Sequence, residues 1–236
     1  QTIVAAIEPQ LGRAEQERAK LKKPGTLGVW DIYQRGMHEL HRLTEDSLAA
    51  AEATLTTVTE TDPVFAAAHA GLAEVHFYNL VLGFVGEPDA SREKALSAGR
   101  RAVELDQEDA NAHCALGRAY TVNRMFDDAI PEFETTLDIN PSHSLAHYGL
   151  GSAHLYMGSP KASLQHLDTA IRLSPQDTNL GSFFVRKAQA HLYLQEHVEA
   201  VDWARRALRL PYFQWSRYVM LISALGHLGR ADEAAP

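Results

Sequence analysis

Twelve histidines and one cysteine are the side chains here best suited to metal ligation, proton transfer or nucleophilic attack. Their spacing argues against each role. His69, His113 and His147 fall in one register of a repeating pattern, and His154 and His191 in another. Equivalent positions on stacked helices lie about 10 Å apart per helix contact, whereas the ligands of one ion each approach to about 2 Å. His143 and His147 stand four apart and could share a helix face, but no carboxylate or third histidine joins them at fixed spacing. Cys114 directly follows His113, and adjacent helical residues point apart, so they make no nucleophile–base pair. Neither a glycine-rich phosphate loop nor a paired-carboxylate motif is present. The sequence therefore predicts no catalytic residue, no metal and no cofactor.

The elements that carry these histidines repeat. His113, Leu116, Gly117, Tyr120, Ala129, Phe133 and Pro141 are followed 34 positions later by His147, Leu150, Gly151, His154, Ser163, Leu167 and Pro175. A period of this size marks stacked helical hairpins. Within a unit, apolar residues recur at helical spacing, a short break follows, and a second amphipathic segment ends at an apolar-x-Pro stop. Small residues at 117, 129, 151 and 170 let helices approach closely, while Phe133 and Leu167 fill the space between them. Pro141 and Pro175 end one hairpin and begin the next. A lone hairpin buries too little to offset about 1–2 kcal/mol per residue of backbone ordering. Each must lean on its neighbours, so such a stack presents surface rather than a single core.

The combination of a small residue, an aromatic, an alanine and a late proline, all in phase, resembles the tetratricopeptide repeat. His113 and His147 stand where that family often has Trp, and His154 where it prefers Tyr. The resemblance implies an all-α fold, a right-handed superhelix of hairpins over 29–236. By phase they run at about 29–63, 66–107, 110–141, 144–175 and 181–211, with a partial sixth at 215–236. Residues 1–23 read as a separate helix and linker that either caps the first hairpin or reaches a preceding domain. Ten extra residues fall within the second hairpin, around Asn79 to Arg92. This apolar 79–88 insertion either packs on its own hairpin or offers a patch for self-association. Apolar surface near the C-terminal end is a second candidate for self-association. The chain reads as a piece of a larger protein.

In the family, the first helix of each unit lines a groove that receives a peptide or partner protein. Carrying those positions over by phase gives Trp30 and Tyr33, with Met37 and His41, from the first hairpin. Glu74, Phe77 and Tyr78 come from the second, and Asn111 and Arg118, with Cys114 and Val122, from the third. The fourth supplies Tyr148, Ser152 and Tyr156, with Leu145, and the fifth Gln189 and Tyr193, with Leu192. Rings among adaptable polar groups suit peptide recognition, although any one ring could instead pack on the next helix. The family's clamp for a C-terminal carboxylate needs Lys, Asn and Arg at set places. Tyr33, Met37, Cys114 and Ala115 stand there, so that mode is not expected.

Composition sets outer bounds. A net charge of −8 and a pI near 5.8 argue against nucleic acid as partner, since phosphate binding needs Lys and Arg. No run approaches the roughly 18 apolar residues of a membrane span, and a lone cysteine suits a reducing compartment. Ile3-Val4-Ala5-Ala6-Ile7-Glu8-Pro9, the charged Arg13–Lys23 stretch, Trp30-Asp31-Ile32-Tyr33-Gln34-Arg35-Gly36 and the lengthened second hairpin resemble the C-terminal region of bacterial class III adenylate or guanylate cyclases. Similar arrangements follow the DNA-binding domains of some bacterial regulators. That likeness implies a cytoplasmic, signalling, regulatory region acting on an upstream output domain and holding none of its catalytic residues.

Overall fold

A computed structural model describes residues 28–210 and 215–234. The expected N-terminal helix and linker at 1–23 lie outside them. Among the described residues there are eleven α-helices, one 3-10 turn and no strand, which is the all-α class the repeat implies. The chain divides into two compact units, one up to His143 and one from Ser144.

The first unit holds α1 (Val29–Leu40), α2 (Glu45–Thr61), α3 (Ala66–Leu82), α4 (Pro88–Leu105), α5 (Ala110–Val122) and α6 (Phe126–Ile139). They pair as α1 with α2, α3 with α4 and α5 with α6, and each pair packs on the next through α2–α3, α3–α5 and α4–α5. The second holds α7 (Ser144–Tyr156), α8 (Pro160–Leu173), α9 (Leu180–Tyr193), α10 (His197–Leu208), α11 (Trp215–His227) and a 3-10 turn at Ala231–Ala234. Here α7 pairs with α8 and α9 with α10, and α11 packs on both α9 and α10. The sequence anticipates a second helix opening after Gly229. The described residues show only that turn, held by Arg230 and Arg205 on Glu233.

The inserted residues lengthen both helices of the second hairpin, α3 to 17 residues and α4 to 18, and leave a short loop between them. Phe84 from that loop packs against the core of Leu40, Leu48, Leu55 and Val75, whereas Val81 is exposed.

Two kinds of turn hold the hairpins. After the first helix of a pair, the chain reverses through one residue with left-handed backbone: Leu43 after α1 at φ 54°, and then Gly83, Arg124, Gly158, Gln195 and Gly229 with φ between 59° and 79°. The amide after each of the last five bonds five residues back, Met125 to Tyr120 at 3.0 Å and Ser159 to His154 at 2.8 Å for example, which closes the helix's last carbonyls. Between hairpins, Asp62, Asp106 and Asn140 each accept through Oδ1 from the amide two residues on.

Packing follows a small-against-large rule. A Cβ on Gly117 would meet the Phe133 ring at 2.8 Å, and one on Gly151 would meet Leu167 at 2.9 Å. Leu55 is shared in the same manner: a Cβ on Gly36 of α1 would meet it at 2.8 Å, and one on Gly71 of α3 at 3.0 Å. Leu116 and Leu150, equivalent by phase, are both buried.

Candidate partner-binding face

The histidines in the 69–113–147 register have a structural task. His69 donates from Nε2 to the carbonyl of Pro63 at 3.1 Å, and His113 does the same to Gln107 at 3.1 Å. Each fastens the turn that precedes its own helix. An indole N–H can make the same donation, which accounts for histidine at a position where the family often has Trp. Nδ1 of His113 also faces Glu132 Oε2 at 2.6 Å. A third histidine does join His147, through tertiary packing rather than sequence spacing. His166 of α8 lies with its Nδ1 3.4 Å from that of His147, and its ring stacks on His154 at 5.4 Å. Among the described residues, no three His, Cys, Asp or Glu side chains form a group that could hold a metal ion. Cys114 is buried, and burial, with the Glu74 carboxylate second, pushes its thiol up and away from the nucleophilic thiolate.

In the first unit most residues of the expected groove are engaged within the protein. Tyr33 packs edge-on against Phe65 at 5.2 Å and beside Trp30 at 5.3 Å. Burial, reinforced by Asp109, pushes its phenol up to about 12. Trp30 is 49% exposed. Phe77 and Tyr78 are buried and lie under the Arg118 guanidinium, 3.8 Å and 4.6 Å from its central carbon. Arg118 is itself buried and ion-paired with Glu74. Two rings, a cation and its counter-ion thus make a closed internal set. Asn111 is exposed on α5 and meets His143 Nε2 at 3.2 Å.

The second unit offers a different surface. Tyr148 stacks on the fully buried Phe183 at 4.6 Å, and Ser152 is buried with its hydroxyl unpartnered. Tyr156 and Tyr193 remain 44% and 55% exposed. Between them lies Arg186, a residue that the groove phase does not select. Its guanidinium sits 4.9 Å from the Tyr156 ring centroid and donates to Gln189 Oε1 at 2.8 Å. Gln189 in turn donates to the Tyr193 hydroxyl at 3.1 Å. Thus α7 and α9 bring Tyr148, Tyr156 and Gln189 together at one cation, and Tyr193 joins through Gln189. Arg186 could have been noticed as a charge seven residues before Tyr193 on one helix face. On α11, Tyr218, Val219 and Ile222 are also exposed.

Hairpins that pack on their neighbours within each unit, three of them with a glycine set against a large side chain of the same hairpin, define a helical-repeat fold. Residues 114–178 match the family model described as Tetratricopeptide repeat. Among curated proteins it is 28% identical over 88 residues to "Protein bimA" of Emericella nidulans. That alignment takes in 37% of this chain and 11% of bimA. It is 27% identical over 128 residues to "Putative adenylate cyclase 3" of Rhizobium meliloti, covering 54% of this chain and 22% of the cyclase. The chain thus spans less than a quarter of the length of either relative. The solved structure of pilF from Pseudomonas aeruginosa superposes with a TM-score of 0.62 at 19% identity, over 93% of this chain and 88% of that one. No described helix is long and apolar enough to cross a membrane.

Proposed function

We propose that this chain is a protein-interaction module that receives an extended peptide or partner segment on the α7–α9 face of its second unit. The arrangement of Tyr156 and Tyr193, both substantially exposed, beside Arg186 and Gln189 carries this reading. Large rings with few rotamers give contact area at low entropic cost, and the amide and guanidinium supply directional bonds. Selection of a phage-displayed peptide library on the immobilised protein tests it. Peptides enriched on the wild type lose at least tenfold in affinity when Tyr156 and Tyr193 are both changed to Ala, with helicity retained. Equal binding by that double variant sinks the assignment of this face.

A second reading places the module as the regulatory region of a nucleotide cyclase, cytoplasmic and acting on an upstream output domain. The alignment to "Putative adenylate cyclase 3" supports it. Deleting the repeats from the full-length protein then changes cyclase output, and unchanged output counts against the reading.

A further inference from the structure

We infer that the partner of the α7–α9 face is acidic at one position, where an aspartate or glutamate side chain docks on Arg186. This rests on the binding reading above and adds the charge of the ligand to it.

Two arginines of this chain share one setting, on the first helix of a hairpin with aromatic rings against the guanidinium. Arg118 has both parts: the Phe77 and Tyr78 rings lie against it and Glu74 pairs with it. Arg186 has the rings without the acid. Its partners are Gln189, at 2.8 Å, and the phenols of Tyr148 and Tyr156, all neutral. Among the described residues no carboxylate pairs with it, and that is what separates it from Arg118, since the Nε of both is buried without an acceptor. An arginine cannot relieve this by losing its proton. A partly buried cation with only neutral acceptors keeps a desolvation cost that a carboxylate would offset. The chain has thirty acidic residues and a net charge of −8, so the lack of one here is a local feature and not a scarcity of acids.

The geometry favours a side chain within an extended segment. Tyr156 lies against Arg186 and Tyr193 is bonded to Gln189, and both keep about half of their surface exposed, which suits residues on both sides of the acid. A guanidinium–carboxylate bond is charge-assisted and about twice as strong as a neutral one, so the acid sets specificity while the rings supply area.

The test is the same phage selection, using peptides whose C-termini are fused to the coat protein, so that any carboxylate selected is a side chain. Wild-type protein enriches peptides with Asp or Glu at one fixed position. A synthetic peptide of the enriched sequence loses at least tenfold in affinity when that residue becomes Asn or Gln, and likewise against Arg186→Gln. Arg186→Lys keeps the acidic preference at lower affinity, while Arg186→Glu selects Lys or Arg at that position, a reversal that misfolding does not produce. Enriched peptides without a fixed acid, or with unchanged affinity for Arg186→Gln, overturn the inference and leave the binding reading standing. Failure of any peptide to enrich above bare support removes the binding reading, and this inference with it.

Discussion

One pair of positions recurs in three successive hairpins with three chemistries. In the third hairpin it holds His113 and Glu132, 2.6 Å apart. In the fourth it holds His147 and His166, 3.4 Å apart. In the fifth, after a step of 37 residues, it holds Phe184 and Trp203, with ring centroids 5.3 Å apart. The backbone geometry is conserved by the repeat while the pair's response to protons is not. His166 faces two further imidazoles, His147 and His154. Burial first, then those two neighbours, hold it below the ordinary histidine value of 6.5. The unfolded chain therefore takes up this proton at a higher pH than the folded one does. Its contribution to stability is full above about pH 6.5 and is lost as pH falls through the lowered value. Thermal unfolding followed by circular dichroism at pH 7.5 and pH 5.0 checks this: His166→Gln shows a smaller drop in Tm than the wild type. A residual drop remains, because His76 is also held low, chiefly by its burial. An equal drop in both proteins removes His166 from the account.

At the scale of the element, the left-handed turn residue decides how cheaply each hairpin closes. Gly83, Gly158 and Gly229 adopt positive φ without a Cβ penalty, but Arg124 at 59° and Gln195 at 62° carry one. Arg124→Gly and Gln195→Gly are each expected to stabilise by about 1 kcal/mol, and Gly158→Ala to destabilise by a similar amount, read from urea midpoints. Destabilisation by both glycine variants overturns the argument. The sequence shows why some of this was legible and some not. The 34-residue step from Gly117 and Phe133 to Gly151 and Leu167 identifies which small residue meets which large one, because both partners sit at fixed offsets. The same step does not reveal that Leu55 serves Gly36 and Gly71 together, since the lengthened α3 and α4 shift the phase. Arg186 escaped because its setting depends on which acids stay away from it, and His166 because its neighbours come from another helix.

At the scale of the molecule, a stack held by nearest neighbours distributes stability unevenly. Within the first unit, Leu55 of α2 is fully buried. It lies against Gly36 in its own hairpin and Gly71 in the next, so it belongs to two interfaces at once. Truncating a buried leucine costs about 2–5 kcal/mol. In a single globular core that loss would lower protection everywhere to the same degree. In a repeat stack it falls first on the hairpins that share the residue, because each contributes its own energy plus the interfaces to its neighbours. Amide hydrogen exchange of Leu55→Ala is thus expected to show faster exchange in α1, α2 and α3. The amides of α6, whose packing centres on Phe133 in the groove at Gly117, keep rates close to those of the wild type. Uniform acceleration across α1 to α6 would mean that the first unit unfolds as one cooperative body, and the nearest-neighbour description would then fail for it.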